Sequence, residues 1–237
     1  RAGSEWNAVL DDALRKTSPA HAIECIGELA ADARGSQCAL CVRVACAIVC
    51  DHIDPPQPWL EIALVTIAQL LESGGRTGCR ARALEGAVRR VERMLCAHRA
   101  ALVPLAVRVV TSGDSFCALP AVARACIHES EHKATLLDHY VSRVYGKQRV
   151  AADQLDAFTP LLLSLSENEV DDLLRSTVTK LLKKNPETML EAAAALVEAV
   201  RFDLSAHLLD GFMPTISRQL RSATDDTRAH SARLLGA

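Results

Sequence analysis

An all-α fold, an α-solenoid of about six helical hairpins, is what three features of this 237-residue chain predict. Hydrophobic residues make up 49% of it but aromatics only 3%, so the core has to be assembled from Ala, Leu, Val and Ile. Ala and Leu are strong helix formers, and small side chains let helices approach closely. Turn signals recur every 17 to 24 residues or so, roughly 40 per helix pair, which is a helical-repeat period. Between them the apolar residues follow helical rather than strand spacing.

The turn signals, in order, are Thr17-Ser18-Pro19, Arg34-Gly35-Ser36, Asp54-Pro55-Pro56, Ser73-Gly74-Gly75, Ala97 to Ala100, Ser112-Gly113-Asp114, Glu129-Ser130, Gly146-Lys147, Leu165-Ser166, Asn185-Pro186, Asp203-Leu204-Ser205 and Ser222 to Asp225. Ser18-Pro19 and Asn185-Pro186 each set a capping oxygen before a proline suited to a first helical turn. Ser166 and Glu169 have the spacing of a capping box. A helix from Thr77 to His98 turns Leu84, Val88, Val91 and Leu95 inward. In Ser166 to Lys184 the stripe is Val170, Leu173, Leu174, Val178, Leu181 and Leu182; in Pro186 to Val200 it is Met189, Leu190, Ala193, Leu196, Val197 and Val200. The last hairpin sets Leu208, Leu209, Phe212, Ile216 and Leu220 around Pro214. Thr224, Asp225 and Asp226 cap a helix carrying Arg228, Ala232, Leu235 and Gly236. Proline in the first helix, Asp in the turn, then Arg, a small residue and Leu-Gly is the pattern of a HEAT repeat. No linker interrupts the series, so residues 1–237 read as one right-handed HEAT-repeat stack, a fragment of a much longer protein.

A net charge of −2 argues against bulk polyanion binding but leaves local basic stripes open. The longest apolar run, Cys38 to Cys50, is broken by Arg43 and too short to span a bilayer, so no membrane partner is expected. Nine cysteines, an odd number, read as free buried hydrophobes in a reducing compartment rather than disulfides.

Two motifs invite a metal. His128-Glu129-Ser130-Glu131-His132 is H-E-x-x-H letter for letter, but that chemistry needs both imidazoles on one continuous helix. Ser130 reads as the cap of a new helix, so the pair is expected to straddle a turn. Cys38, Cys41, Cys46 and Cys50 fan over about half a helix circumference at roughly 100° per residue, too wide to converge on one ion. Neither motif is expected to hold a metal. With no phosphate-cradling glycine loop and no nucleophilic set, no catalytic residue, cofactor or small-molecule substrate is expected, and binding is the default role of such a surface. The candidate contact residues are Arg82, Arg89 and Arg93, in line opposite the apolar stripe, with Arg90 beside them. They suit phosphates or an acidic partner; the plainer reading is a solvated face paired with Glu85 and Glu92. Lys180, Lys183 and Lys184 form a second basic group, as expected at a helix C-terminus from the macrodipole alone.

One stretch goes beyond generic repeat spacing. Asn185-Pro186-Glu187, Glu191 and Asp203-Leu204-Ser205 with Leu209-Asp210 resemble the amino-terminal region of the large HEAT-repeat translational activator family of the general amino-acid control pathway. The resemblance covers Phe158 to Ala237. It implies a non-catalytic cytoplasmic, polysome-associated scaffold whose partners are the ribosome, through protein or rRNA, and translation-control proteins. Such a scaffold helps activate the kinase of initiation factor 2 alpha in amino-acid starvation or ribosome stalling. In that family the amino-terminal repeats contact the ribosome and the kinase-binding part lies far toward the other end. The alternative is a HEAT-repeat adaptor unrelated to the ribosome, such as a transport receptor or assembly scaffold.

Overall fold

The structure is a computed structural model that describes residues 17–53, 58–77, 81–113, 115–144, 152–174, 186–200, 202–204, 213–221 and 224–236. All the regular structure among them is helical, as the composition predicts. Two compact units divide the chain, residues 1–133 and 134–237.

The first unit holds α1 (Pro19–Asp32), α2 (Ser36–Asp51), α3 (Trp59–Arg76), α4 (Ala81–Ala97), α5 (Arg99–Ser112) and α6 (Leu119–Cys126). Here α1 packs on α3 and α3 on α5, while α2 packs on α4 and α4 on α6. Odd and even helices therefore make two layers, and successive helices join one layer to the other. α3 is flanked by α1, α2, α4 and α5, and buries Leu60, Ala63, Leu64, Ile67, Ala68, Leu70 and Leu71. α4 keeps one face in solvent and buries only Ala87, Val91, Met94 and Leu95. Leu84 and Val88, expected at its core, are half-buried, because the stripe is centred one position further round.

The punctuation is chemical. Ser18 caps α1, its Oγ accepting the His21 N–H at 3.3 Å, and Pro19 fills the first helical position. Gly35, between α1 and α2, has φ +57°, which favours glycine. Its N–H donates to Thr77 Oγ1 at 3.0 Å, and that hydroxyl donates to the Ser73 carbonyl at 2.6 Å. One threonine thus ends α3 and pins the α1–α2 turn against it.

Ser73-Gly74-Gly75, expected as a turn, lies inside α3, which runs to Arg76. These glycines serve close approach. Gly74 is buried, and a Cβ on Gly75 would stand 3.0 Å from Cys117 Sγ. Glu72 Oε1 accepts the Cys117 N–H at 2.5 Å and holds that loop against α3. The next helix therefore begins at Ala81, not Thr77. The Asp54-Pro55-Pro56 and Gly146-Lys147 signals lie outside the described residues.

α7 (Ser130–Val144) runs through the division. The second unit continues with α8 (Ala152–Asp156), α9 (Thr159–Leu162), α10 (Glu167–Leu173), α11 (Pro186–Ala199), α12 (Met213–Gln219) and α13 (Asp225–Gly236). Phe158 is fully buried between the short α8 and α9, its ring edge-on to Tyr140 at 5.1 Å and 6.1 Å from His139. Its N–H closes on the Leu155 carbonyl and its own carbonyl accepts from Leu161 and Leu162. That turn, with Pro160 just inside α9, breaks the segment into helices shorter than the periodicity suggests.

Ser166 and Glu169 form the capping box of α10, whose Val170, Leu173 and following Leu174 are buried as expected. Residues 175–185, with Lys180, Lys183 and Lys184, lie outside the described ones, as do Leu208, Leu209 and Phe212. In α11, Leu190, Ala193 and Leu196 are buried, while Val197 and Val200 are half-buried. α11 packs on α13. The face α13 buries holds Thr227 and Ser231, whereas Arg228, Ala232 and Leu235 lie toward solvent. The Ser231 hydroxyl donates to the Thr227 carbonyl at 2.7 Å and Thr224 Oγ1 donates to Thr227 Oγ1 at 2.6 Å, so these hydroxyls enter the core already satisfied. Leu220, expected in the core, is exposed; Pro214 lies in α12, and the half of the expected helix before Met213 lies outside the described residues.

The Gly75–Cys117 approach predicts a coupled pair. Gly→Ala in a helix ordinarily gains about 1 kcal/mol. Here Gly75→Ala is expected to gain clearly less in the native background than in a Cys117→Ala background, where Sγ no longer stands in the way. Urea unfolding of the four proteins of the cycle measures this, and a coupling near zero would show the contact to be slack.

Candidate functional site: a basic row on α4

Residues 82, 89 and 93 are seven and four positions apart. At 100° per residue they fall within about 20° of one line, with about 10.5 Å and 6 Å of axial rise between them. The structure places Arg82, Arg89 and Arg93 on the exposed side of α4, opposite Ala87, Val91, Met94 and Leu95. Gly86 lies among them, and a Cβ there would meet nothing within 4 Å, so the row is uncrowded. Arg90, also exposed, is turned about 80° away, and its charge favours the thiolate forms of Cys46 and Cys50 on α2. The four arginines therefore divide into a row of three and one toward the neighbouring helix.

Glu85 pairs with Arg89 at 2.5 Å, both side chains well over half exposed. An exposed i,i+4 pair contributes about 0.3–0.5 kcal/mol. Glu92, expected to neutralise the row, reaches α6 instead, where Arg124 Nη1 lies 3.1 Å from its Oε2 in a less exposed setting. Among the described residues Arg82, Arg90 and Arg93 show no ion pair. Sequence reasoning missed Arg124, and also Arg108, which bonds Glu61 across α3 and α5 at 2.7 Å; both are contacts 32 and 47 residues apart that periodicity within one helix does not reveal.

The cysteine run fans as expected. Cys38 and Cys46 are buried, Cys41 is half-buried and Cys50 is exposed. Of the other described cysteines Cys126 is buried, Cys25 and Cys117 are half-buried and Cys96 is exposed, so burial explains only some of them; all eight are free thiols. Burial, with a smaller contribution from Cys50, pushes the Cys46 thiol up to about 12. Burial and the Glu129 carboxylate do the same to Cys126, again to about 12. A thiol held neutral is neither a nucleophile nor a metal ligand at neutral pH.

His128 and Glu129 sit in the turn after α6, Glu129 N–H donating to the Cys126 carbonyl at 2.9 Å. α7 starts at Ser130, and the Glu129 carbonyl takes its first helical hydrogen bond, from Lys133. The cap is thus Glu129, one residue before the Ser130 expected in that role. His132 follows inside the helix, 3.4 Å from Glu129 Oε2. The two imidazoles flank a turn rather than sharing a helical face. Among the described residues no three His, Cys, Asp or Glu side chains are placed to hold a metal ion, and no helix is long and apolar enough to cross a membrane.

In the second unit Arg233 of α13 forks onto Glu198 of α11, its Nε at 2.6 Å and Nη2 at 2.5 Å, and the hydrogen bond holds that carboxyl below the usual range. Arg228 pairs with Asp225. Of the positions that carry the family resemblance, Pro186 opens α11 and Leu204 is buried, which are structural duties.

Stacked helical hairpins with a charged solvent face define an all-α helical-repeat protein. Residues 133–237 match the family described as the N-terminal region of the stalled ribosome sensor GCN1. The chain is 36% identical over 94 residues to the stalled ribosome sensor GCN1 of Mus musculus, across 39% of this chain. It is 37% identical over 82 residues to the Homo sapiens protein of that name, across 34% of this chain, and 34% identical over 99 residues to Protein ILITYHIA of Arabidopsis thaliana, across 41%. Each match covers only 3% or 4% of the relative. No solved structure matches. The chain thus carries a region similar to the GCN1 N-terminus, as Phe158 to Ala237 resembled; the basic row lies outside the matched residues. The mouse and human relatives are named as stalled ribosome sensors.

The buried thiol has a consequence for stability. A free cysteine titrates near 9, so above that pH the unfolded chain gives up the Cys46 proton while the folded chain, at about 12, keeps it. Stability is fully present below about pH 9 and falls as pH rises from there toward 12, by up to about 1.4 kcal/mol per pH unit for this thiol. Urea unfolding at pH 8, 9 and 10 is expected to show a shallower decline for Cys46→Ala than for the native chain, even though the variant starts less stable.

Proposed function

We propose that this segment is part of a non-catalytic HEAT-repeat scaffold that associates with ribosomes and regulates translation, by helping to activate the initiation factor 2 alpha kinase in amino-acid starvation or ribosome stalling. It works in the cytoplasm, with polysomes and translation-control proteins as its partners. The observation that carries this reading is the match of residues 133–237 to the N-terminal region of a stalled ribosome sensor. The chain's own chemistry is consistent with it: α4 offers an exposed basic row, the buried Cys46 and Cys126 thiols are held neutral, and His128 and His132 are parted by a turn.

Arg82, Arg89 and Arg93 are the proposed contacts in the first unit, with Arg90 beside them. The row meets rRNA phosphates as charge-assisted hydrogen bonds, and the weak Glu85 pair on Arg89 exchanges for a phosphate at small cost. Replacing all three with Ala is expected to leave stability within about 0.5 kcal/mol, because none is in the core. Ribosome pelleting across a salt series should then show weaker binding, with a salt slope flatter by about one unit per lost phosphate contact. An acidic protein in the same place would show mainly as a slower association rate. Equal pelleting of native and triple-variant chains at every salt would remove the row from the site. No pelleting of the native chain would favour an adaptor that does not bind the ribosome.

A further inference from the structure

The first turns of α1 hold a group that lies outside the basic row and outside the matched region. His21, Glu24 and Cys25 occupy positions i, i+3 and i+4 of the helix, so all three side chains share one face. His21 Nε2 is 3.7 Å from Cys25 Sγ, and His21 Nδ1 is 3.5 Å from Glu24 Oε2. With the proton on Nδ1, beside the carboxylate, Nε2 would present its lone pair to the thiol. A thiol, a base in contact with it and a carboxylate orienting the base is the arrangement that activates a sulfur nucleophile. The imidazole and carboxylate are more than half exposed and Cys25 is half-buried, so the group lies at the surface. The Ser18 cap fixes the backbone at His21, and Ala22 and Ile23 bury the opposite face of the same turn.

We propose that Cys25 is a covalent modification site for soft carbonyl electrophiles, the α,β-unsaturated carbonyl class, with His21 as its base and Glu24 as the positioning residue. Sγ attacks the alkene carbon as His21 Nε2 takes the thiol proton. An S–C bond forms, the π bond breaks, and its electron pair moves onto the carbonyl as an enolate. The imidazolium then returns the proton to the α-carbon. The outcome is a net addition with no leaving group and no oxidant. The other thiols lie in different settings. Cys46 and Cys126 are buried and held neutral; partial burial and, after it, the Asp51 carboxylate oppose ionisation of Cys50; Cys96 is exposed and meets the Arg99 guanidinium at 3.9 Å, a charge but not a base.

Limiting N-ethylmaleimide on the folded 237-residue chain, read peptide by peptide with mass spectrometry, tests this directly. Cys25 is expected to react faster at pH 7 than the more exposed Cys50, and His21→Gln is expected to slow Cys25 about tenfold, below the ~10²–10⁴ range of a fully enclosed base. Glutamine keeps the backbone N–H that Ser18 caps, and unchanged Cys50 and Cys96 rates in the variant would show the fold intact. Glu24→Gln should slow Cys25 by a smaller factor and lower the ratio of its rate at pH 7 to that at pH 9, which a structural role alone would not move. A Cys25 rate no greater than that of Cys50, or one indifferent to His21→Gln, would overturn the assignment.

Discussion

Every feature of the first unit depends on a single packing constraint: helices too amphipathic to stand alone must be covered by the helices one and two places along the chain. α3 shows the constraint at its strongest. Enclosed by α1, α2, α4 and α5, it leaves Leu60, Leu70 and Leu71 with almost no exposure. A buried leucine is worth about 1.5–3 kcal/mol, so most of what α3 contributes exists only while its neighbours are in place. The same constraint sets the surface. A helix of either layer has one side left over: on α3 it carries Ile62, Val65 and Gln69, and on α4 it carries the arginine row.

Small residues are what let the layers close. Gly75 brings the end of α3 onto the Cys117 loop, and Ala192, Ala193 and Ala194 let α11 be covered on adjacent sides. This explains how a core with 3% aromatic residues can be dense. Phe158 is the contrast. One large ring against Tyr140 and His139 fills the gap at the turn between α8 and α9, where regular helix stacking is interrupted.

How much was legible follows from range. Local chemistry was read well where the cap is a side chain three residues away: the Ser18 cap and the Ser166–Glu169 capping box are both as expected. The inward stripe of α10 and the outward row of α4 were read from periodicity alone. Misreadings came where a long-range partner reassigns a residue. Ser73-Gly74-Gly75 has turn composition, but the glycines are needed for contact with a loop more than 40 residues away. Glu92 has the spacing to pair within α4, but Arg124 claims it. Thr227 and Ser231 read as polar surface, but their hydroxyls are satisfied locally and can be buried. The His21, Glu24 and Cys25 group was within range of sequence reading; its signal was an i, i+3, i+4 set on one face.

Charge on this molecule therefore divides by partner rather than by sign. Glu92–Arg124, Arg108–Glu61 and the forked Arg233–Glu198 pair each join one helix to another; all three keep solvent contact, Glu92–Arg124 the least, so each adds orientation more than stability. Arg82 and Arg93 tie nothing to the core, and the Arg89 pair with Glu85 stays within one exposed turn. A fold indifferent to these three side chains leaves their direction and spacing free to suit a partner, whereas the inter-helix pairs must stay where packing needs them. That distinction, more than the count of arginines, is why the proposed contacts are placed on α4.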